Sequence, residues 1–404
     1  MKLKDYVQVN PLVKLDKNFE YPFVEMKDIQ PFRKTVCSSY KKKFTGSGSK
    51  FNHGDTLFAR ITPCLENGKT SQYRSKEKIS AWGSSEFIVL REKKDISDND
   101  FIYYLSISNF FRNYAIKNMT GTSGRQRVSG NLLGEYECTF PDLDTQKKIS
   151  NILSTLDKKI ENNEKENKIL ENLARSIFKS YFANSFKKNK SRKIPSGWNI
   201  VKLKDIFEIF GGFAFKSKDY LDKGIFVLRT KNFSNGVAEK LTDDVFLSED
   251  FLLSHKNFIC EEFDYHLVMV GASIGKTGMI FPYLLPALRN QNMWCFRSRS
   301  KNISKFLVKF IVDEVTSKLK SFASGSARDF FKKGDFRNFE LLLPNDEILN
   351  NFKIISDSLL KKISKNYEQI SVLTNLKNIL LPKLISGELT ITTANKIFNL
   401  VNSK

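Results

Sequence analysis

At 404 residues with 41% hydrophobic content, the chain is too long for one ordinary domain and has enough apolar side chains for two or three cores. Its 66 Lys and Arg against 44 Asp and Glu give a formal charge of +22, which favours a polyanionic partner over an acidic small molecule, although a Lys-rich composition alone gives the same charge. Cys37, Cys64, Cys138, Cys260 and Cys295 form no CxxC pair, and no run reaches the ~18 apolar residues of a membrane span, so the expectation is a soluble, cytoplasmic chain with free thiols and no membrane partner.

In chain order, residues 1–143 hold short runs rich in Phe, Val, Ile and Tyr, separated by Gly, Asn, Asp and Ser, which predict a β-rich globular part with some helix. A long helix is expected over 144–184, with Asp144 as N-cap after Pro141 and no Gly or Pro before Tyr181. Its Ile149, Leu153, Leu156, Ile160, Leu170, Ala174, Ile177 and Tyr181 fall on steps of four and three, with Asn163 and Asn167 on two rungs, the heptad pattern of a coiled coil. Residues 185–197 are polar and basic with Pro195 and Gly197, a surface linker. Residues 198–345 repeat the β-rich pattern. A second helix spans 346–386 with rungs Phe352, Leu359, Ile363, Asn366, Ile370, Leu373, Leu380 and Leu384, weak positions at Ser356 and Lys377, and Pro382 expected to end or kink it. Residues 387–404 read as a tail.

The two halves match each other. Lys2-Leu-Lys-Asp5 recurs as Lys202-Leu-Lys-Asp205, Gly68-Lys69-Thr70 as Gly275-Lys276-Thr277, and Phe87-Ile-Val-Leu-Arg91 aligns with Met293-Trp-Cys-Phe-Arg297. Beyond these the offset holds at 203: Ser123 and Arg125 meet Ser326 and Arg328, and Leu156, Ile160 and Asn163 meet Leu359, Ile363 and Asn366. The fold class is therefore α+β, two similar β-rich domains separated by two long helices, one architecture used twice. An approximate two-fold axis between the halves would set the helices antiparallel as a coiled coil, with Asn167 facing Asn366 and Asn163 facing Ile370. Buried asparagines lower stability but penalise slipped registers, and ~40 helical residues rising about 1.5 Å each would make a ruler of roughly 60 Å.

Candidate base readers are Ser84, Ser85 and Glu86 in the first half and Arg289, Asn290, Gln291 and Asn292 at the matching place in the second. Arg suits guanine, Asn and Gln suit adenine, and Glu accepts from the cytosine amino group; a plain surface loop would have the same composition. Lys69 and Lys276 are either phosphate contacts or solvated turn lysines. Ser123, Arg125, Gln126 and Arg127, matched in part by Ser326 and Arg328, precede each helix and suit backbone phosphate or helix-approach capping. Gly271 to Thr277 lacks the four residues between glycines that a phosphate loop needs. His53, His255 and His266 form no local metal motif and suggest no nucleophile triad, and no Asn-Pro-Pro-aromatic or Asp-Pro-Pro-aromatic segment marks an amino-methyltransferase.

Several motifs carry a resemblance. Gly54-Asp-Thr-Leu-Phe-Ala-Arg60, Thr120-Gly-Thr-Ser-Gly-Arg125-Gln-Arg127 running into Phe140-Pro141 and Gln146, Gly211-Gly-Phe-Ala-Phe-Lys216 and Leu381-Pro-Lys-Leu-Ile-Ser-Gly-Glu-Leu389 resemble the specificity subunits of Type I restriction-modification enzymes. The resemblance spans nearly the whole chain and adds Arg60 and Lys216 to the DNA-binding candidates. It implies two target-recognition domains, each reading half of a split site in double-stranded DNA, and helices that dock methyltransferase subunits, two of them, with restriction motor subunits in larger assemblies. It further implies a non-catalytic chain without cofactor or metal, S-adenosylmethionine, ATP and magnesium belonging to the partners. The competing readings are a coiled-coil protein scaffold without DNA specificity and an NTPase dependent on Lys276.

Overall fold

The computed structural model describes every residue except 39, 123, 183–184, 187–193, 242, 324–330 and 403–404, and leaves aside the side chains of 321–323 and 399–402. The chain forms two compact units, Met1–Glu161 with Val372–Lys404, and Asn162–Ser371. The division falls inside both long helices.

In the first unit, a five-stranded sheet runs in the order Val7–Val9, Phe87–Glu92, Thr56–Ala59, Thr70–Tyr73, Thr35–Val36. A four-stranded sheet runs Lys41–Lys43, Glu20–Val24, Ala81–Gly83, Ser49–Phe51. Thr56–Ala59 and Thr70–Tyr73 are buried at every position, as strands covered on both faces must be. The cover includes helix Asn99–Ile107, which packs on both strands and starts where the Asp98 carboxylate accepts the Phe101 N–H at 2.9 Å.

The second unit repeats this plan. Its main sheet runs Phe207–Gly211, Met293–Ser298, Tyr265–Val268, Thr277–Met279, Gly236–Ala238, Phe233–Ser234, and a smaller one runs Phe246–Leu247, Ile225–Leu228, Ala287–Arg289. Glu20–Val24 pairs in parallel with Ala81–Gly83, and Ile225–Leu228 pairs in parallel with Ala287–Arg289, so the halves share topology as well as sequence. The Lys-Leu-Lys-Asp repeat has a local cause: the Asp5 carboxylate accepts the Lys2 N–H and the Asp205 carboxylate the Lys202 N–H, each at 3.0 Å. Gly68 and Gly275 take the left-handed φ values +74° and +76°, and a Cβ on Gly68 would lie 2.5 Å from the Phe32 ring, which explains the recurring glycine.

The long helices are Leu143–Phe182 and Asp346–Ile385. Asp142, not Asp144, caps the first, accepting the Thr145 N–H at 2.8 Å. Pro382 does not end the second, which runs on to Ile385, and the segment expected to be a tail holds a helix, Ile391–Asn402, with Ala394 fully buried in the first unit.

Within the second unit the helices run antiparallel: Asn366 Nδ2 donates to Asn167 Oδ1 at 2.9 Å and to Glu166 Oε2 at 2.8 Å, and Asn163 Nδ2 donates to Gln369 Oε1 at 3.1 Å. The Asn167–Asn366 meeting is the one expected; Asn163 finds Gln369, one residue from the expected Ile370. The buried line near the end of the first helix is Ala174, Phe178, Phe182 and not Ile177 and Tyr181, because a helix of 3.6 residues per turn drifts off a 3.5-residue repeat and Phe178 turns onto Phe310 in this unit's core. Within the first unit, Lys377 occupies a buried rung because Asp157 accepts its ammonium at 2.7 Å while also accepting the Tyr104 hydroxyl at 2.6 Å.

Candidate nucleic-acid interface

In the first unit, a tight turn precedes strand Phe87–Glu92. The Ser84 hydroxyl accepts the Glu86 N–H at 3.2 Å, the Ser84 carbonyl accepts the Phe87 N–H at 3.2 Å, and Ser85 is left exposed at the tip. The backbone then gathers distant segments onto this turn. Arg60 N–H donates to the Glu86 carbonyl, Val128 N–H to the Arg60 carbonyl, and the Gln126 carbonyl accepts both the N–H and the hydroxyl of Thr62. Arg60, Ser84, Ser85, Glu86, Arg125, Gln126 and Arg127 therefore lie together.

Glu86 and Arg127 are partners. Nε of Arg127 lies 3.0 Å from both carboxylate oxygens and Nη2 lies 2.8 Å from Oε1, while Nη1 donates to the Arg125 carbonyl at 3.2 Å. The hydrogen bond to Glu86 raises the Arg127 pKa. Arg125 is exposed, and Arg60 has a buried Nε without a hydrogen-bond partner among the described residues. Ser123 lies outside the described residues.

Lys69 corrects an expectation. It is half-buried, and its ammonium donates to the Met26 carbonyl at 2.8 Å, so it fastens a loop and does not stand free for phosphate. A basic feature that the sequence reading missed is the edge strand Lys41–Lys43, exposed at all three positions. Lys42 sits 4.5 Å over the Phe23 ring and 5.7 Å over Trp82; Lys41 and Lys43 alternate with it and have no ion pair among the described residues. The run of lysines between Tyr40 and Phe44 was the available signal.

In the second unit the matching turn has different chemistry. Arg289, expected to read a base, is wholly buried. Its Nη1 donates to Ile259 O at 2.9 Å, Nη2 to Asn257 O at 2.7 Å and Nε to Gly211 O at 3.4 Å, with Asp264 3.9 Å away. A wholly buried guanidinium so used ties the 257–259 segment to the end of strand Phe207–Gly211 and presents nothing to a base, which corrects the expectation of a base reader. Beside it, Asn290 is half-buried and accepts the Gln291 N–H at 2.8 Å, while Gln291 and Asn292 are exposed, Asn292 in the left-handed conformation at φ +69°. Lys216 and Lys276 are exposed; Ser326 and Arg328 lie outside the described residues.

The family model for the Type I restriction modification DNA specificity domain matches twice, over residues 3–172 and 195–378. The chain belongs to this family. It is 28% identical over 314 residues to the Type I restriction enzyme MjaIX specificity subunit of Methanocaldococcus jannaschii, covering 74% of this chain and 71% of that one, and 26% identical over 328 residues to the MjaVIII specificity subunit of the same organism, covering 77% and 75%. The crystal structure of a Type I restriction-modification S subunit from M. genitalium has the same fold, with TM-score 0.57, 15% identity and 95% coverage of both chains. Membership makes this chain a DNA specificity subunit, with one specificity domain per half.

The duplicated domains of this specificity subunit share an ion pair that sequence reasoning missed. Arg91 donates through Nε and Nη2 to buried Asp55 at 2.7 and 2.6 Å, and Arg297 does the same to buried Asp264 at 2.8 and 2.6 Å. Each aspartate also accepts a backbone N–H three residues upstream, from Asn52 and from Glu261. Burial pushes the Asp264 carboxyl up, but the Arg297 hydrogen bond and charge, together with the Glu261 N–H and neighbouring charge, hold the group below its usual range.

Asp264, His266 and Cys295 lie close enough to suggest metal ligands. Asp264 is committed to Arg297, however, and the cross-strand pair His266 and Cys295 stands where Leu57 and Val89 pair in the first unit, which makes these core positions. Burial lowers the His266 pKa to about 4 and keeps the imidazole neutral. No helix among the described residues is long and apolar enough to cross a membrane.

Proposed function

We propose that Ser85 and the Glu86–Arg127 pair in the first unit and Asn290, Gln291 and Asn292 in the second read the two halves of a split site in double-stranded DNA, with exposed Arg125 beside the first set for backbone phosphate. The observation behind this reading is the divergence of two matched turns on one repeated scaffold: a carboxylate and guanidinium pair in one unit, amides in the other. Guanine and cytosine edges suit the first set and adenine the second. Lys41, Lys43, Lys216 and Lys276 are exposed cations suited to phosphate, and contribute affinity without sequence information.

In this proposal the subunit performs no chemistry itself. It acts in the cytoplasm, its long helices dock two methyltransferase subunits, and restriction motor subunits join where the system has them; S-adenosylmethionine, ATP and magnesium are held by those partners. The asparagine pair fixes the register of the helices. The test is binding of the assembled methyltransferase complex to target and random duplexes across a salt series. Neutralising about 6 phosphates gives a slope near −5 in log K against log salt, with the target duplex preferred throughout. A salt-independent affinity, or equal affinity for random DNA, would contradict the proposal.

A further inference from the structure

We infer that Arg127 reads a guanine in the half-site recognised by the first unit, and that Glu86 is a positioning residue that aims it. The inference rests on the DNA-reading role of this edge and assigns its chemistry. A guanidinium has five N–H donors in a planar fork. Here Nε–H and one Nη2–H are held by the Glu86 carboxylate and one Nη1–H by the Arg125 carbonyl. The remaining donors are one on Nη1 and one on Nη2, on the two terminal nitrogens of the fork. Guanine presents O6 and N7 in the major groove as two adjacent acceptors that fit this pair, whereas adenine places an amino donor against one of the two N–H groups.

Charge separates this role from a phosphate contact. The Glu86 carboxylate neutralises Arg127, so the pair attracts a phosphate weakly, while a neutral base edge meets no such loss. Arg125, exposed and in no ion pair among the described residues, is placed in this edge to offer its charge to the backbone. The accessibility fits as well: the Arg127 side chain is 40% exposed and that of Glu86 25%, so the fork reaches solvent while its carboxylate support sits behind. A guanidinium fixed on two sides loses little conformational freedom when it meets a base, which sharpens discrimination.

The experiment uses the complete subunit assembled with its methyltransferase subunits, on duplexes carrying the target found by mapping methylated adenines. The half-site dependent on the first unit is expected to contain a G·C pair at which replacing guanine by adenine weakens binding roughly 5- to 150-fold. Replacing that guanine by 7-deazaguanine, which removes one acceptor, weakens the wild type but leaves Arg127→Ala unchanged. Glu86→Gln lowers the guanine-to-adenine ratio without weakening binding to random DNA, and Arg127→Lys, which keeps the charge but loses the fork, lowers the ratio without altering the salt slope. A uniform loss of affinity on all sequences with a shallower salt slope in Arg127→Ala would overturn the inference and make Arg127 a phosphate contact. A first half-site without a G·C pair overturns it too. If the wild-type complex showed no preference for its target over random DNA, the DNA-reading role itself would fall, a result distinct from either.

Discussion

The two units differ least where their strands are fastened and most where the turns emerge. Asp55–Arg91 and Asp264–Arg297 repeat each other atom for atom, down to the backbone N–H that each aspartate accepts. A few residues away, the Ser84–Glu86 turn offers a carboxylate clamping an arginine, while the turn after Arg289 offers Gln291 and Asn292 with Arg289 buried beneath. A buried ion pair resists change because losing one partner strands the other's charge in the core, whereas an exposed turn residue is replaced at little cost in stability. The duplicated scaffold can therefore hold its fold while the chemistry of each turn diverges.

That contrast predicts its largest effect at the fastenings. Asp55→Ala and Asp264→Ala are each expected to lose roughly 3–5 kcal/mol of stability in their own unit, read by denaturant unfolding with hydrogen exchange resolved by unit. A loss below about 1 kcal/mol in either would show that the repeated pair is not what fastens the sheets.

The core beneath the second turn sharpens the comparison through acid. His266 is held neutral, its pKa lowered from 6.5 to about 4 by burial, so below pH 6.5 the unfolded chain binds a proton that the folded unit refuses. Stability of the second unit is fully present above pH 6.5 and falls as pH drops towards 4, by about 3 kcal/mol in all. The first unit has Leu57 at the matching strand position and lacks this particular acid loss. His266→Leu is expected to remove the difference in an exchange experiment at pH 7.5 and pH 5.

Smaller effects belong to the exposed groups. Asn292→Ala or Gln291→Ala is expected to relax one position of the second half-site by roughly 1–3 kcal/mol per base in competition binding, with the first half-site unaffected. Arg289→Met is expected to destabilise the second unit without relaxing any base. Lys41→Ala and Lys43→Ala should each reduce the salt slope by about 1 and change no base preference.

Much of this contrast was legible in the sequence, and the failures have physical causes. The repeat, the two long helices and the meeting of Asn167 with Asn366 followed from period and offset, which depend on local spacing alone. Arg289 was misplaced because a run of polar residues looks exposed, and the carbonyls of Gly211, Asn257 and Ile259 that satisfy it come from segments remote in sequence. The Asp–Arg fastenings were hidden for the same reason. Glu86 and Arg127 were both singled out, yet their pairing was not, since only the sheet brings the 84–86 turn against residues 126–128. The helix Ile391–Asn402 was missed as a tail; its burial depends on packing within the first unit rather than on a long repeat.

The measurement that bears most directly on the account is a map of methylated adenines in cells carrying the methyltransferase with either the wild-type subunit or one with Gln291→Ala and Asn292→Ala together. The account predicts a split motif with two unrelated ends for the wild type, and for the variant the same first end with a relaxed second end. A variant map unchanged at both ends, or altered equally at both, would contradict the claim that each unit's turn reads its own half of the site.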